Sequence, residues 1–189
     1  MNSAKRILYY AALVLMCAHV VLLSWVEEDA FISFRVVDNF VHGFGLRWNI
    51  NERVQTYTNP LWTLLHIPLY ALTGNIILTT CVLGWACLIG TLIVTRRTFE
   101  VSPLRYTALF LVSLLVSPTN SLFFTSGLES PLLDFLFVCF GFALIRRPHR
   151  YWLWLSLMTA LSLWARLDTA IVYAPVWLCL LLQEYKTLR

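Results

Sequence analysis

Charge is scarce in this sequence: 13% of its 189 residues are Asp, Glu, Lys or Arg, about half the share of an ordinary soluble domain. With 59% hydrophobic residues and a mean hydropathy of +0.72, a chain of this length has more apolar surface than a soluble fold can bury, so the soluble globular class is excluded. The net charge of +4 does not indicate nucleic acid, because the basic residues stand in small groups between apolar runs instead of clustering on one solvated face. CxxC and zinc-type Cys/His spacings are missing. All five cysteines (Cys17, Cys81, Cys87, Cys139 and Cys179) lie inside apolar runs and read as small buried hydrophobes. A signal-peptide cleavage pattern is missing too. Residues 7–26 follow Lys5 and Arg6, but the apolar core is long and ends in Ser24-Trp25-Val26, so this run is expected to be a retained anchor. Away from their ends, the apolar runs hold only His19 and Asp134 as acidic, basic or histidine residues, which leaves little of the polar path a transporter needs.

What is abundant fits a bilayer. Eight Trp, eight Tyr and twelve Phe make the chain 15% aromatic, a level suited to side chains at the water boundary of a membrane. A helix needs about 20 residues to cross the hydrocarbon, fewer if interfacial aromatics hold its ends. Six runs qualify or nearly do: residues 7–26, 76–94, 104–116, 131–145, 151–165 and 169–182. Ser102-Pro103, Ser130-Pro131 and Asn59-Pro60 each put a capping side chain before a proline at the first helical position. The expected fold is therefore all-α, a polytopic transmembrane bundle of about six spans forming a single domain over residues 1–189.

Orientation follows from Lys and Arg. The apolar segment 59–72 is short for a span. If it is instead an interfacial or re-entrant helix within a long first outer loop, 27–74, every basic cluster falls on the side of Lys5 and Arg6. The cytoplasmic set is then Lys5, Arg6, Arg96, Arg97, Arg105, Arg146, Arg147, Arg150, Lys186 and Arg189, and the outer set is Arg35, Arg47, Arg53 and Arg166. Acids divide the opposite way. Glu27, Glu28, Asp29, Asp38, Glu52, Glu129 and Asp168 lie outside, Asp134 one turn into a helix from that surface, and only Glu100 and Glu184 inside. Insertion rules place little weight on acids, so the asymmetry marks one face as chemical. The expected location is the inner (plasma) membrane, multi-pass, with a cytoplasmic amino terminus.

The outer loop carries an ordered set of short matches: Glu28-Asp29-Ala30-Phe31-Ile32-Ser33-Phe34-Arg35, Asn39-Phe40, Gly43-Phe44-Gly45-Leu46, Trp48-Asn49, and Glu52-Arg53-Val54 leading to Tyr57-Thr58-Asn59-Pro60-Leu61-Trp62. Ser126-Gly127-Leu128-Glu129-Ser130-Pro131 and Ala165-Arg166-Leu167-Asp168 follow on the same outer side. In these residues the chain resembles the GT-C membrane glycosyltransferases, in particular the amino-terminal half of the branch that includes the mycobacterial terminal arabinofuranosyltransferase. It departs from that pattern in three ways. The acidic pair is Glu28-Asp29 where the family has Asp-Asp. Leu167 and Thr169 stand in place of the Pro and Gly of the Arg-Pro-Asp/Glu-Gly segment. Family members are also at least twice as long.

The resemblance implies transfer of a sugar from a polyprenyl-phosphate donor to a hydroxyl acceptor such as a glycan, at the outer face of the cell envelope. Such a reaction needs a base for the acceptor proton and positive charge for the departing phosphate. The family's acidic pair falls on Asp29, the expected base, and Glu28, the second choice. Arg166 and Arg35 can hold phosphate oxygens with their planar forks. Glu129 and Asp168 share their face and are expected in the substrate site. A divalent metal (Mg or Mn) on Glu28, Asp29 and Glu129 is the alternative source of positive charge. Tyr57, Trp62 and Trp48 suit sugar stacking, and equally suit a bilayer interface. Asp134 reads as a polar tie between helices or a site wall, and His19 as a hydrogen-bond partner of a neighbouring helix. His42, His66 and His149 have no partner spacing. Two rivals stay open: a non-catalytic assembly partner, and one half of a split enzyme whose other half is a second membrane polypeptide.

Overall fold

In the computed structural model the chain is described over residues 3–52, 54, 56–100, 102–116 and 122–187. The described residues are helical, with no strand among them. In chain order they form α1 (Ser3–Leu22), α2 (Ala30–Val41), α3 (Pro60–Thr73), α4 (Ile76–Phe99), α5 (Pro103–Val116), α6 (Ser130–Arg146), α7 (Tyr151–Ala165), a 3-10 turn at Leu167–Thr169, and α8 (Ala170–Thr187). Each of the six apolar runs thus forms a helix, the first ending at Leu22, four residues short of the expected bound. Three helices are long and apolar enough to cross a membrane: Ser3–Leu22, Ile76–Phe99, and Leu167–Lys186, which joins the 3-10 turn to α8. At 14, 17 and 15 residues, α5, α6 and α7 are shorter than the roughly 20 residues a perpendicular crossing takes.

The first loop differs from the expectation of a single short helix. α3 falls where it was read, within one residue, but α2 is an additional helix. Its buried Ala30, Ser33, Phe34, Val36 and Val37 recur at helical spacing, a period that the loop's charged and aromatic residues obscure. Capping also differs. Asn59 occupies the cap position of α3 without a side-chain cap bond, and Ser130 lies inside α6 with Glu129 at the cap. α3 instead turns sharply into α4 through Gly74, whose φ of 62° is the left-handed conformation glycine favours. The Asn75 side chain then accepts from Leu78 N at 3.0 Å to start α4.

The bundle has a basic end and an acidic end. α4 and α6 run in the same direction. Gly90 faces Phe135, and at their carboxyl ends Arg146 donates to the Thr98 and Arg97 carbonyls at 2.9 and 3.2 Å and pairs with Glu100 at 2.8 Å. Those bonds satisfy carbonyls that the last turn of α4 leaves open. α6, α7 and α8 share one core built on Leu136, Phe140, Leu155, Met158 and Tyr173. Tyr173 and Ser162 share a hydroxyl–hydroxyl bond of 2.9 Å, and Trp177 donates to Thr159 at 3.0 Å. A smaller cluster of Met16, Val20, Leu88 and Phe124 joins α1 to α4. Where lipid replaces water, such helices associate through close packing and polar ties. Gly84 of α4 illustrates the close packing, since a Cβ there would sit 1.9 Å from the Phe124 carbonyl oxygen.

The expected partner for His19 is not found. Its Nε2 is buried without a hydrogen-bond partner among the described residues. Asp134 is exposed on α6 and makes no tie to another helix among the described residues.

Candidate functional site

At the acidic end, segments far apart in the chain meet at Glu129. Its side chain is 4% exposed, and each carboxylate oxygen has one partner: Oε2 accepts from Asn59 Nδ2 at 2.8 Å, Oε1 from Arg166 Nη1 at 2.8 Å. A buried carboxylate needs such compensation, because its lost hydration costs several kcal/mol. Asn59 extends the network. Its Oδ1 accepts from Ser33 Oγ of α2 and Thr63 Oγ1 of α3, both at 3.0 Å, which explains why it does not cap α3. Arg166, in the extended residue between α7 and the 3-10 turn, also donates from Nε to Asp168 Oδ2 at 2.8 Å. The hydrogen bonds to Glu129, then those to Asp168, push its guanidinium still further from deprotonation. Half of the Arg166 side chain stays exposed. Two of its five N–H donors are committed, so the remaining donors can receive an anion.

The segment before Glu129 locks α2 in place. Glu27 N donates to Ser126 O at 2.8 Å, and Trp62 Nε1 donates to Gly127 O at 2.8 Å. Gly127 has φ +87°, and a Cβ on it would lie 2.6 Å from Ala30 Cβ and 2.8 Å from Phe34 Cζ. Gly127→Ala is therefore expected to destabilise the protein by about 3 kcal/mol, combining left-handed strain with overpacking. Gly43 gives the control: it shares φ +87° but has open space around it, so Gly43→Ala should cost only about 1 kcal/mol. Equal losses in denaturant unfolding of the two variants would show that α2 does not press on Gly127.

Asp29 and Glu28 stand at the exposed start of α2. Neither carboxylate has an ion pair or side-chain hydrogen bond among the described residues, and Asp29 holds the cap position of α2 without a capping bond. Ser33, one turn along from Asp29, joins the Asn59 network, so the backbone of Asp29 lies about 6 Å along the helix axis from that of a member of it.

Other candidates are placed elsewhere. Arg35 is exposed and stacks on Trp48, its guanidinium carbon 4.6 Å from the ring centroid, so it belongs to the packing of the 39–50 loop and not to the Glu129 group. Trp62 is 1% exposed, inside the core. No sugar face can reach it, and its part is to hold Gly127. Tyr57 is half-buried in the approach to Asn59. Arg53 lies outside the described residues. Among the described residues no group of three His, Cys, Asp or Glu side chains converges as a metal site. Glu28, Asp29 and Glu129 therefore do not form such a group, and the Mg or Mn alternative finds no assembled ligand set among the described residues. The roles of Ser33, Thr63, Gly127 and Asn59 in this network escaped the sequence reading. Their signal was weak, small residues inside segments notable for other reasons.

Compared with protein-family models, with curated proteins and with solved structures, the chain matches none.

Proposed function

We propose that this chain is a multi-pass membrane protein of the GT-C glycosyltransferase type, corresponding to the amino-terminal half of such an enzyme. In this reading α1, α4, α5, α6, α7 and α8 cross the plasma membrane, the basic end faces the cytoplasm, and α2 and α3 lie at the outer surface. The shorter helices cross where interfacial aromatics and tilt adjust the bilayer to them. The substrate is a polyprenyl-phosphate-linked sugar, the acceptor a hydroxyl of a glycan.

One observation carries the proposal: Ser33, Asn59, Glu129, Arg166 and Asp168 form a continuous polar network, and these residues come from the three stretches that carry the resemblance. In the reaction, the Asp29 carboxylate takes the acceptor hydroxyl proton and the acceptor oxygen attacks the anomeric carbon. The bond from that carbon to the phosphate oxygen breaks, and the polyprenyl phosphate leaves with both bonding electrons. Arg166, held by Glu129 and Asp168, meets the charge that develops on it.

A second reading has its own support. Glu129 is held through both oxygens within the protein and Arg166 already pairs with two carboxylates, an arrangement that also suits a purely structural tie in a half-enzyme needing a partner polypeptide. Purified protein in vesicles, supplied with polyprenyl-phosphate sugar and an acceptor, separates the two. Transfer by the chain alone supports the catalytic reading. Transfer only with a co-expressed second membrane polypeptide assigns it to a split enzyme, and none under either condition ends the glycosyltransferase proposal.

A further inference from the structure

At the opposite end of the bundle, a cleft of about 840 Å³ runs between α1 and α4 and reaches Thr107 of α5. Tyr9, Leu13, Trp85 and Ile89 are among its accessible apolar walls, Met16 and Leu88 close its floor, and Arg96 and Arg97 stand at its mouth. From Trp85 to Arg96 the cleft follows α4 for about 16 Å. α1 and α4 are two of the three helices long and apolar enough to cross a membrane, so this cleft opens sideways onto acyl chains.

The charge at the mouth is not balanced from within. Glu100 lines the same mouth, but its carboxylate is held by Arg146 at 2.8 Å. Arg146 is in turn anchored on the Thr98 and Arg97 carbonyls. Arg96 and Arg97 are exposed and have no ion pair among the described residues. Two guanidinium groups thus face the entrance of an apolar channel whose one lining acid, Glu100, is shared with Arg146. Guanidinium forks favour phosphate oxygens, and basic pockets between membrane helices select anionic headgroups.

We infer that the α1–α4 cleft is a binding site for an anionic phospholipid of the surrounding bilayer, one acyl chain lying along Leu13, Trp85 and Ile89 and the phosphate on Arg96 and Arg97. This site is separate from the Glu129 group and does not depend on glycosyl transfer. A free anion would use the two arginines but leave the apolar walls unfilled; a zwitterionic lipid such as phosphatidylcholine would fill the walls, but its choline cation offsets its phosphate beside the two arginines.

Trp85 provides the probe. Full-length protein is placed in phosphatidylcholine vesicles containing a minor fraction of chain-brominated phosphatidylglycerol or chain-brominated phosphatidylcholine. The fluorescence difference between wild type and Trp85→Phe isolates Trp85 from the other tryptophans. Brominated phosphatidylglycerol is expected to quench it with about ten-fold higher apparent affinity, a preference that shrinks as salt is raised. Arg96→Gln and Arg97→Gln should each reduce the preference to about three-fold, and the double variant should abolish it. Circular dichroism checks that each variant keeps its helix content. Equal quenching by the two lipids overturns the inference, as does a preference that survives in the double variant. Loss of the preference on adding inorganic phosphate at constant ionic strength also overturns it, because the site would then read phosphate without the chain.

Discussion

Under the glycosyl transfer proposed for this chain, replacing Asp29 with Asn is expected to lower the rate by about 100-fold or more, the usual contribution of a positioned general base, while the unfolding transition stays where the wild type has it. The two halves of this expectation rest on one feature. The Asp29 carboxylate is exposed and makes no ion pair or side-chain hydrogen bond among the described residues, so its amide isostere removes proton-accepting capacity and little else. Its place is nonetheless held. The adjoining Ala30 packs against Gly127, Glu27 is tied to Ser126, and Ser33 to Asn59. Measured transfer rates for Asp29→Asn and Glu28→Gln, beside thermal unfolding of each, check the assignment. If Glu28→Gln loses the activity and Asp29→Asn keeps it, the base is one residue upstream.

Arg166→Ala should be the most damaging single replacement for stability, at about 3 kcal/mol or more, because it leaves the buried Glu129 carboxylate without its cation. Glu129→Gln should cost less, about 1–2 kcal/mol. The glutamine oxygen can still accept from Asn59, and Arg166, half exposed, keeps Asp168. The asymmetry arises from the unequal burial of the partners, 4% exposed for Glu129 against 50% for Arg166. Arg166→Lys keeps the charge but loses the fork that reaches Glu129 and Asp168 together, and it should fall between wild type and Arg166→Ala in both stability and transfer. Denaturant unfolding in detergent ranks the three. A ranking in which Glu129→Gln is as costly as Arg166→Ala would mean that the carboxylate is not buried as described.

Helix positions were largely legible in the sequence, because apolar runs with proline at the start report local preferences that packing does not need to supply. The six runs became helices, and α3 appeared one residue from its expected bounds. α2 was not read, since its apolar face is only one stripe among charged and aromatic residues. The candidate site was half legible. Glu129, Arg166 and Asp168 are ionisable residues beside apolar runs, which is conspicuous in a chain so poor in charge. Asn59 looked like a helix cap but serves as the hub, and Trp62 looked like a sugar platform but is core. A side chain's type limits the bonds it can form, and the segments around it decide which ones it forms.

Composition and the spacing of apolar residues by themselves determined an all-helical chain with helices long and apolar enough for a membrane, because burying backbone polar groups in hydrocarbon leaves helix as the solution for such runs. The grouping of basic residues at one end and acids at the other was also written in linear order. Only the tertiary structure decided which acid is buried and which remains free. Glu129 is enclosed by Asn59 and Arg166, brought from 70 and 37 residues away, and Asp29 is left in the open at the start of α2. Pairing a buried charge takes partners from separate helices, and no local pattern records which helices will meet.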